Sequence, residues 1–84
     1  MTTKQDNLLI YPNPACNTAY LNNVSSKIKK IDLIDINGKI LKSIIVNQKF
    51  SSVIPINVSD ISSGIYFLKV YEGGKTFTKK FIKN

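Results

Sequence analysis

Apolar and polar residues alternate along most of the chain, as expected for β-strands with one buried face. The clearest run is 64–71, in which Tyr66, Leu68 and Val70 share one face. A Glu-Gly-Gly sequence follows, and glycine tolerates the positive φ that hairpin turns require. We therefore predict a strand, a tight turn and a returning strand over residues 75–84.

Five further strands are predicted upstream, from short apolar runs bounded by turn residues. Isoleucine changes phase within the third run, which predicts a bulge or burial on both faces. Asn37-Gly38 after that run is a strong hairpin signal, and Asp35 is placed to accept hydrogen bonds from the turn amides. The five predicted strands are residues 8–11, 18–21, 27–36, 39–46 and 50–58.

The prolines and one loop isoleucine constrain how these strands assemble. Pro12 and Pro14 end the first strand, because proline donates no ladder hydrogen bond. Pro55 predicts an edge position for the fifth strand or a backbone nitrogen that faces outward, and Ile61 is expected to reach the core. About seven strands and no convincing helix predict an all-β fold, a small antiparallel immunoglobulin-like β-sandwich. A small barrel such as an OB-fold is the alternative.

The chain has 84 residues and a net charge of +7, with lysine as its only cationic side chain. A basic chain invites a nucleic-acid hypothesis, with aromatic residues as a stacking platform. The lysines are spread along the chain, however, and no arginine is present to bind guanine or phosphate. Protection of sheet edges accounts better for the lysines, so no nucleic-acid partner is expected. The candidate platform residues are Tyr66, Phe67, Tyr71, Phe77 and Phe81.

Residue types that many enzymes and metal sites need are missing. The chain has no histidine, and Cys16 is its one cysteine. Zinc sites built from His or several Cys, and Ser-His-Asp or Cys-His arrangements, cannot be assembled. The carboxylates are scattered, and roles in turns and at edges suit most of them. We therefore predict no catalytic residue, no metal and no cofactor, with Cys16 as an ordinary loop thiol.

The first seven residues differ in composition from the rest of the chain. They are polar and lack the apolar core of a signal peptide, and no apolar run in the chain is long enough to span a membrane. We interpret residues 1–7 as a linker and residues 8–84 as one domain. The chain is expected to be either cytoplasmic or a fragment of a longer exported protein.

Four segments occur in one order and at one spacing. They are residues 11–15 (Tyr-Pro-Asn-Pro-Ala), 31–39, 58–66 and 80–83 (Lys-Phe-Ile-Lys). Together they resemble the C-terminal sorting domain of type IX secretion cargo, the Por secretion system domain of Bacteroidota, in its type A form. The resemblance covers residues 8–84 and depends on all four segments, since an Asn-Gly turn alone is common. Cys16 stands where a small polar residue is expected.

The resemblance implies a secretion signal and not an enzyme. The domain would be the last part of a larger secreted cargo protein, which crosses the periplasm and leaves through an outer-membrane translocon. A sortase-like cell-surface peptidase would then cut within residues 1–7. The implied partners are the translocon, the peptidase and the N-terminal cargo domain. The implied location is the periplasm in transit, and then the cell surface or the medium.

The resemblance also assigns roles to particular residues. The part of the signal that the machinery recognises would be Lys79, Lys80, Phe81, Ile82 and Lys83. An exposed last strand could be recognised by strand addition, and it would also permit weak strand-mediated self-association. The other positions that match family motifs, with an expected first role in the fold, are Pro12, Asn13, Pro14, Asp35, Gly38, Lys39, Gly64 and Tyr66.

Two other classes of function stay open. An immunoglobulin-like structural or carbohydrate-binding module of a secreted protein would present exposed aromatic residues, and the absence of tryptophan counts against it. A small nucleic-acid binder would bind DNA or RNA with an affinity that falls steeply as salt is added.

Overall fold

The computed structural model describes residues 8–47 and 52–84, which form two antiparallel β-sheets. The seven strands are β1 (Leu9–Tyr11), β2 (Thr18–Asn22), β3 (Ile28–Asp35), β4 (Ile40–Ile45), β5 (Ile54–Asn57), β6 (Gly64–Glu72) and β7 (Lys75–Lys83). One sheet has the order β1-β2-β5, and the other has the order β4-β3-β6-β7. The prediction of a small all-β sandwich is confirmed.

The core lies between the sheets and is filled by alternate residues of the strands. In β6, Tyr66, Leu68 and Val70 are buried while the residues between them are partly exposed, so the predicted face is confirmed. Ile61 packs against this core from its loop, also as predicted. The buried hydrophobic residues are Leu8, Ala15, Ala19, Leu21, Ile28, Ile31, Leu33, Val46, Ile54, Ile56, Val58, Tyr66, Leu68, Val70 and Phe81.

The fifth strand is shorter than predicted, since β5 begins at Ile54. The predicted strand start at Phe50 lies outside the described residues. Val58 donates its N–H to the carbonyl of Asn17 at 2.9 Å, and antiparallel alternation then points the Pro55 nitrogen away from β2. Pro55 therefore costs no ladder hydrogen bond, and its predicted edge position is confirmed.

The central strand β3 carries two irregularities. Its pairing with β4 shifts register between Leu33 and Ile34, and its pairing with β6 shifts between Ile28 and Lys30. These shifts match the change of isoleucine phase in the sequence, and the predicted bulge is confirmed.

The hairpin predicted at Asn37-Gly38 is confirmed, since β3 and β4 pair across it. Its connection is the four residues 36–39, two residues longer than the gap between the predicted strands. Gly38 has a φ of +86°, whereas Asn37 does not adopt a positive φ. This combination is a type I turn followed by a left-handed glycine. The Oδ1 atom of Asp35 accepts the N–H groups of Asn37 and Lys39, each at 2.9 Å, which confirms the role predicted for Asp35.

The closing hairpin is the longest paired region of the molecule. β6 and β7 pair from Gly64–Lys83 to Glu72–Lys75 without a register shift. Between the described residues, the edge of β7 meets the other part of the chain through one isolated bridge, from Ala15 to Lys83. The sheets thus stay separate layers, and the alternative of a closed barrel is wrong.

Candidate functional site

β7 is the edge strand of the four-stranded sheet, and its two faces lie in different environments. Phe81 points into the core, where it is fully buried and its ring centroid lies 5.9 Å from that of Tyr66. Ile82 pairs with Ile65 on the outer face, where 42% of its surface is exposed. Of these two predicted recognition residues, Phe81 stabilises the fold and Ile82 is accessible to a partner.

The lysines predicted for recognition differ in the same way. Lys80 is exposed on the outer face of β7. Lys79 shares the inward phase with Phe81 and is half-buried at the sheet edge. Lys83 is half-buried, and its Nζ donates to the carbonyl of Asn84 at 2.9 Å. A charge in the inward phase of an edge strand opposes pairing with unrelated strands.

Residues of the Pro-Asn-Pro-Ala segment bind the end of β7. The Oδ1 atom of Asn13 accepts the N–H of Ile82 at 2.9 Å. Ala15, which is fully buried, donates its N–H to the carbonyl of Ile82 at 2.7 Å and accepts the N–H of Asn84 at 2.8 Å. These three bonds are named the terminal clamp. They give Asn13 a structural role, and Pro12 and Pro14 are exposed on either side of it.

The predicted unpaired edge of the last strand is wrong at residues 82–84, where the terminal clamp bonds it. Because Ile82 directs its N–H and C=O away from β6, antiparallel alternation directs those of Thr76, Thr78 and Lys80 the same way. Among the described residues, no backbone hydrogen bond covers these three on that side. The outward backbone groups of Thr76, Thr78 and Lys80 are named the open edge.

A groove of about 350 Å³ runs beside the open edge, between β7 and β1. Residues 8–10 and Asn13 line one wall, and residues 78–80 line the other. The parallel bridge from Ala15 to Lys83 closes one end. Leu8, the residue before β1, therefore lies beside the open edge.

The structure brings the four motif segments together at one end of the sandwich. Tyr66 of β6 pairs with Asp35 of β3 on one side and with Phe81 of β7 on the other. Lys83 of β7 is bridged in turn to Ala15, next to the Pro-Asn-Pro residues. Residues that are far apart in the sequence are thus connected through neighbouring strands, which the spacing of the motifs alone did not reveal.

The remaining motif positions hold this end of the sandwich in shape. The hydroxyl of Tyr66 donates to the carbonyl of Ser62 at 2.7 Å, which anchors the loop before β6. Gly64 begins β6 with a φ of +155°, a conformation that L-residues with side chains rarely adopt. Lys39 is exposed in the hairpin beside Asp35. A pocket of about 320 Å³ lies between the two loops, lined by residues 35–37 and 63–66.

Asp32 is fully buried on the outer face of the four-stranded sheet, a position that the sequence analysis did not single out. Its carboxylate accepts the hydroxyls of Ser43 (2.7 Å) and Tyr71 (2.9 Å), and Lys30 Nζ lies 3.9 Å away. Burial alone would raise the pKa of Asp32. The hydrogen bonds and the charges of Lys30 and Lys69 outweigh burial, so the pKa is lowered. The ionised carboxylate therefore joins β3, β4 and β6.

The aromatic residues that a nucleic-acid hypothesis would use as a stacking platform do not gather on one exposed face. Tyr66 and Phe81 are buried in the core, so two of its proposed members are inaccessible. Tyr11 and Tyr20 instead pair across β1 and β2, with ring centroids 5.6 Å apart and an interplanar angle of 24°. Since these two rings stack on each other, one face of each is covered by the other ring.

Residues 8–47 and 52–84 hold no group of three or more His, Cys, Asp or Glu that could bind a metal ion. No helix in these ranges is long and apolar enough to cross a bilayer. Cys16 is exposed and forms no disulfide.

Comparison with models of protein families matches residues 9–84 to the secretion system C-terminal sorting domain. The match covers all seven strands and the terminal clamp. Domains of this family serve in targeting rather than in catalysis, and they mark a protein for export to the cell surface or the medium. A search of curated proteins found no match. The chain therefore belongs to the family of C-terminal sorting domains of type IX secretion.

Proposed function

We propose that this domain directs a larger cargo protein through the type IX secretion system and across the outer membrane. The supporting observation is the meeting of the four motif segments at one end of the sandwich. The terminal clamp gives residues 82–84 a fixed shape there, and a defined shape is what a recognition signal requires.

In this proposal the domain is a substrate of the secretion machinery and catalyses no reaction. The cargo passes through the periplasm and the translocon, and a sortase-like peptidase then cuts within residues 1–7. That segment lies outside the described residues, and Leu8, the first described residue after it, lines the groove beside β7. The cargo is attached to the cell surface or released, and the sorting domain is lost.

The five residues 79–83 are proposed to contribute to recognition in different ways, depending on how exposed their side chains are. Lys80 and Ile82 present their side chains on the outer face, and Lys79 and Lys83 are half-buried at the strand edge. Phe81 supports them from the core. Recognition is therefore proposed to use Lys79, Lys80, Ile82 and Lys83 directly, and Phe81 only through the fold.

Export of a reporter tests the proposed function. Residues 7–84 are fused to the C-terminus of a periplasm-directed fluorescent protein, in Bacteroidota strains with and without the translocon. Fluorescence is expected at the surface or in the medium only when both the domain and the translocon are present. A folded fusion that stays in the periplasm of the complete strain would contradict the proposal.

A pair of variants separates recognition of side chains from recognition of the backbone. Phe81→Ala is unsuitable because it removes a core residue, so Ile82→Ala is compared with the triple variant Lys79→Ala, Lys80→Ala and Lys83→Ala. Loss of export in the triple variant alone, with an intact fold, would show that the lysine charges are read. Export by both variants would favour recognition of the backbone.

A carbohydrate-binding module is the second candidate, favoured by the exposed Tyr11–Tyr20 pair. Stacking of the two rings on each other reduces the flat surface that a sugar ring needs. Titration of the wild type and of Tyr20→Ala with a panel of cell-surface glycans tests this candidate. Saturable binding that the variant loses would support it.

A further inference from the structure

We propose that the open edge of β7 binds an acidic, extended segment of a partner protein, which adds to the four-stranded sheet as a further strand. The identity of this partner as a part of the secretion machinery rests on the proposed function. The binding itself rests on the backbone, the charge and the shape of β7.

The backbone of β7 is suited to strand addition. The strand has nine residues and pairs with β6 without a register shift, so its outward backbone groups are regularly spaced. The N–H and C=O groups of Thr76, Thr78 and Lys80 point away from β6 in a regular repeat. An added strand can satisfy these groups with main-chain hydrogen bonds, which supply affinity without requiring a particular sequence.

The charge of β7 selects the partner. The strand carries Lys75, Lys79, Lys80 and Lys83 and has no acidic residue. Two copies of this strand would place lysines beside lysines, and like charges that lie opposite each other destabilise a pair of strands. A second copy of this chain is therefore a poor occupant. A segment with Asp or Glu at alternate positions gains attraction instead.

The terminal clamp and the groove limit where the added strand can lie. Asn13 and Ala15 already use the outward groups of Ile82, so a new strand must end before residue 82. Upstream, the groove between residues 8–10 and residues 78–80 gives room for its side chains. The site is therefore residues 76–80, upstream of most of the terminal motif.

Binding is tested by NMR on the full 84-residue chain. The probe is a capped peptide, Glu-Val-Glu-Val-Glu-Val-Glu, and the matched control has lysine in place of each glutamate. The acidic peptide is expected to shift the amide signals of Thr76, Thr78 and Lys80 and to slow their hydrogen exchange. The lysine peptide should bind more than about tenfold more weakly. Equal binding of both peptides, or shifts confined to β4, would overturn the proposal.

A substitution at Thr78 separates the backbone from the side chain. Thr78→Pro removes an outward N–H that β6 does not use, whereas Thr78→Ala keeps it. The proline variant is expected to lose most of the binding and the alanine variant to retain it. If the proline variant does not fold, N-methylation of alternate residues of the acidic peptide is used instead, because it removes the N–H groups with which the peptide would bind the carbonyls of β7. Undiminished binding after both blocks would exclude strand addition.

One further comparison distinguishes an external peptide from the chain's own first residues as the occupant of the open edge. Another distinguishes failure of the proposed site from failure of the proposed sorting function. Deletion of residues 2–7 should leave the peptide affinity unchanged, and binding that appears only after the deletion would make the chain's own segment the occupant. In the export assay, the wild-type fusion should be exported, whereas the fusion that carries Thr78→Pro should stay in the periplasm. Export of both would overturn the proposed site but keep the sorting function, whereas export of neither would count against the sorting function.

Discussion

The two edge strands of the four-stranded sheet, β4 and β7, are protected against unwanted pairing in different ways. β4 has six residues, a register shift beside it, and exposed isoleucines such as Ile40 and Ile45. β7 has nine residues, a regular register and four lysines. A short strand beside a register shift is a poor template for any added strand. Lysines, in contrast, repel only strands of like charge. β7 is therefore the edge that a partner of opposite charge can use.

Each of these strands is also connected to the opposite sheet by one polar side chain. On the β4 side, Lys42 Nζ donates to the carbonyl of Asn57 in β5 at 2.6 Å and lies 2.8 Å from Asp60. On the β7 side, Asn13 accepts the N–H of Ile82. The first link uses an exposed charge and the second uses the backbone of the strand, so only the second occupies part of the sheet edge.

The largest expected difference between the two edges concerns the core. Phe81→Ala should lower the free energy of unfolding by about 3–5 kcal/mol, because a fully buried ring is removed. Ile40→Ala on β4 should cost less than about 1 kcal/mol, because 53% of the side chain is exposed. Urea denaturation measures both values, and similar losses would contradict the assigned faces.

Substitution of Asp32 tests how strongly its hydrogen bond to Ser43 holds β4 to the sheet. Asp32→Ala should destabilise the domain by about 2 kcal/mol at neutral pH, since it removes the acceptor of two hydroxyl groups. The folded-state pKa lies below the ordinary value of 3.8, so the unfolded state binds more protons. The contribution is therefore complete above about pH 5 and is lost as the pH falls through the folded-state pKa.

Unfolding of the wild type and of Asp32→Ala between pH 7 and pH 2 measures this dependence. The difference in stability between the two proteins should narrow below about pH 4. Asp60→Ala is the control, because Asp60 is exposed and its substitution should change stability little. A gap that stays constant with pH would show that the Asp32 carboxylate does not stabilise the fold.

Substitution of Asn13 tests how strongly the terminal clamp holds the end of β7. Asn13→Ala should cost about 1 kcal/mol, because the N–H of Ile82 loses its protein acceptor. Hydrogen exchange should accelerate at Ile82 and remain slow at Phe81, which faces the core. Asn17→Ala is the matched control, since Asn17 uses its backbone carbonyl to bind Val58. Unchanged exchange at Ile82 would contradict the clamp.

The smallest expected effect concerns the lysines. The double variant Lys79→Ser and Lys80→Ser should self-associate at lower concentration than the wild type, because the repulsion that protects β7 is reduced. Lys29→Ser and Lys39→Ser remove the same charge away from this edge and should leave association unchanged. Sedimentation velocity at low salt compares the self-association of the two double variants. Equal self-association would mean that only the net charge of the domain opposes it, and not the position of the lysines.

Local features were predictable from the sequence because their causes are local. The alternation around Tyr66 determined which face of β6 is buried, and glycines marked both hairpins. Asp35 could be assigned to its turn because its partners lie within four positions. The family could not be obtained from such patterns, and it depended on the resemblance of four spaced segments.

Long-range features were not predictable, because no periodicity connects residues far apart in the sequence. Asn13 and Ile82 are 69 positions apart, so the terminal clamp appears only once the sheets are assembled. Asp32 likewise gains its hydrogen-bond partners from the two neighbouring strands, β4 and β6. The proposed recognition residues lie on β7 or at its end, but the open part of the edge begins upstream of them, at Thr76.

The terminal clamp has a mechanical consequence. Residues 13–15 run parallel to residues 82–84, so tension applied to the two ends of the domain draws these segments past each other in opposite directions. The three bonds of the clamp lie across this direction and share the load, whereas the bonds of a hairpin pulled apart at its open end break one after another. A domain that is pulled by its last residues while it carries a heavy protein at its first would thus resist unfolding by shear.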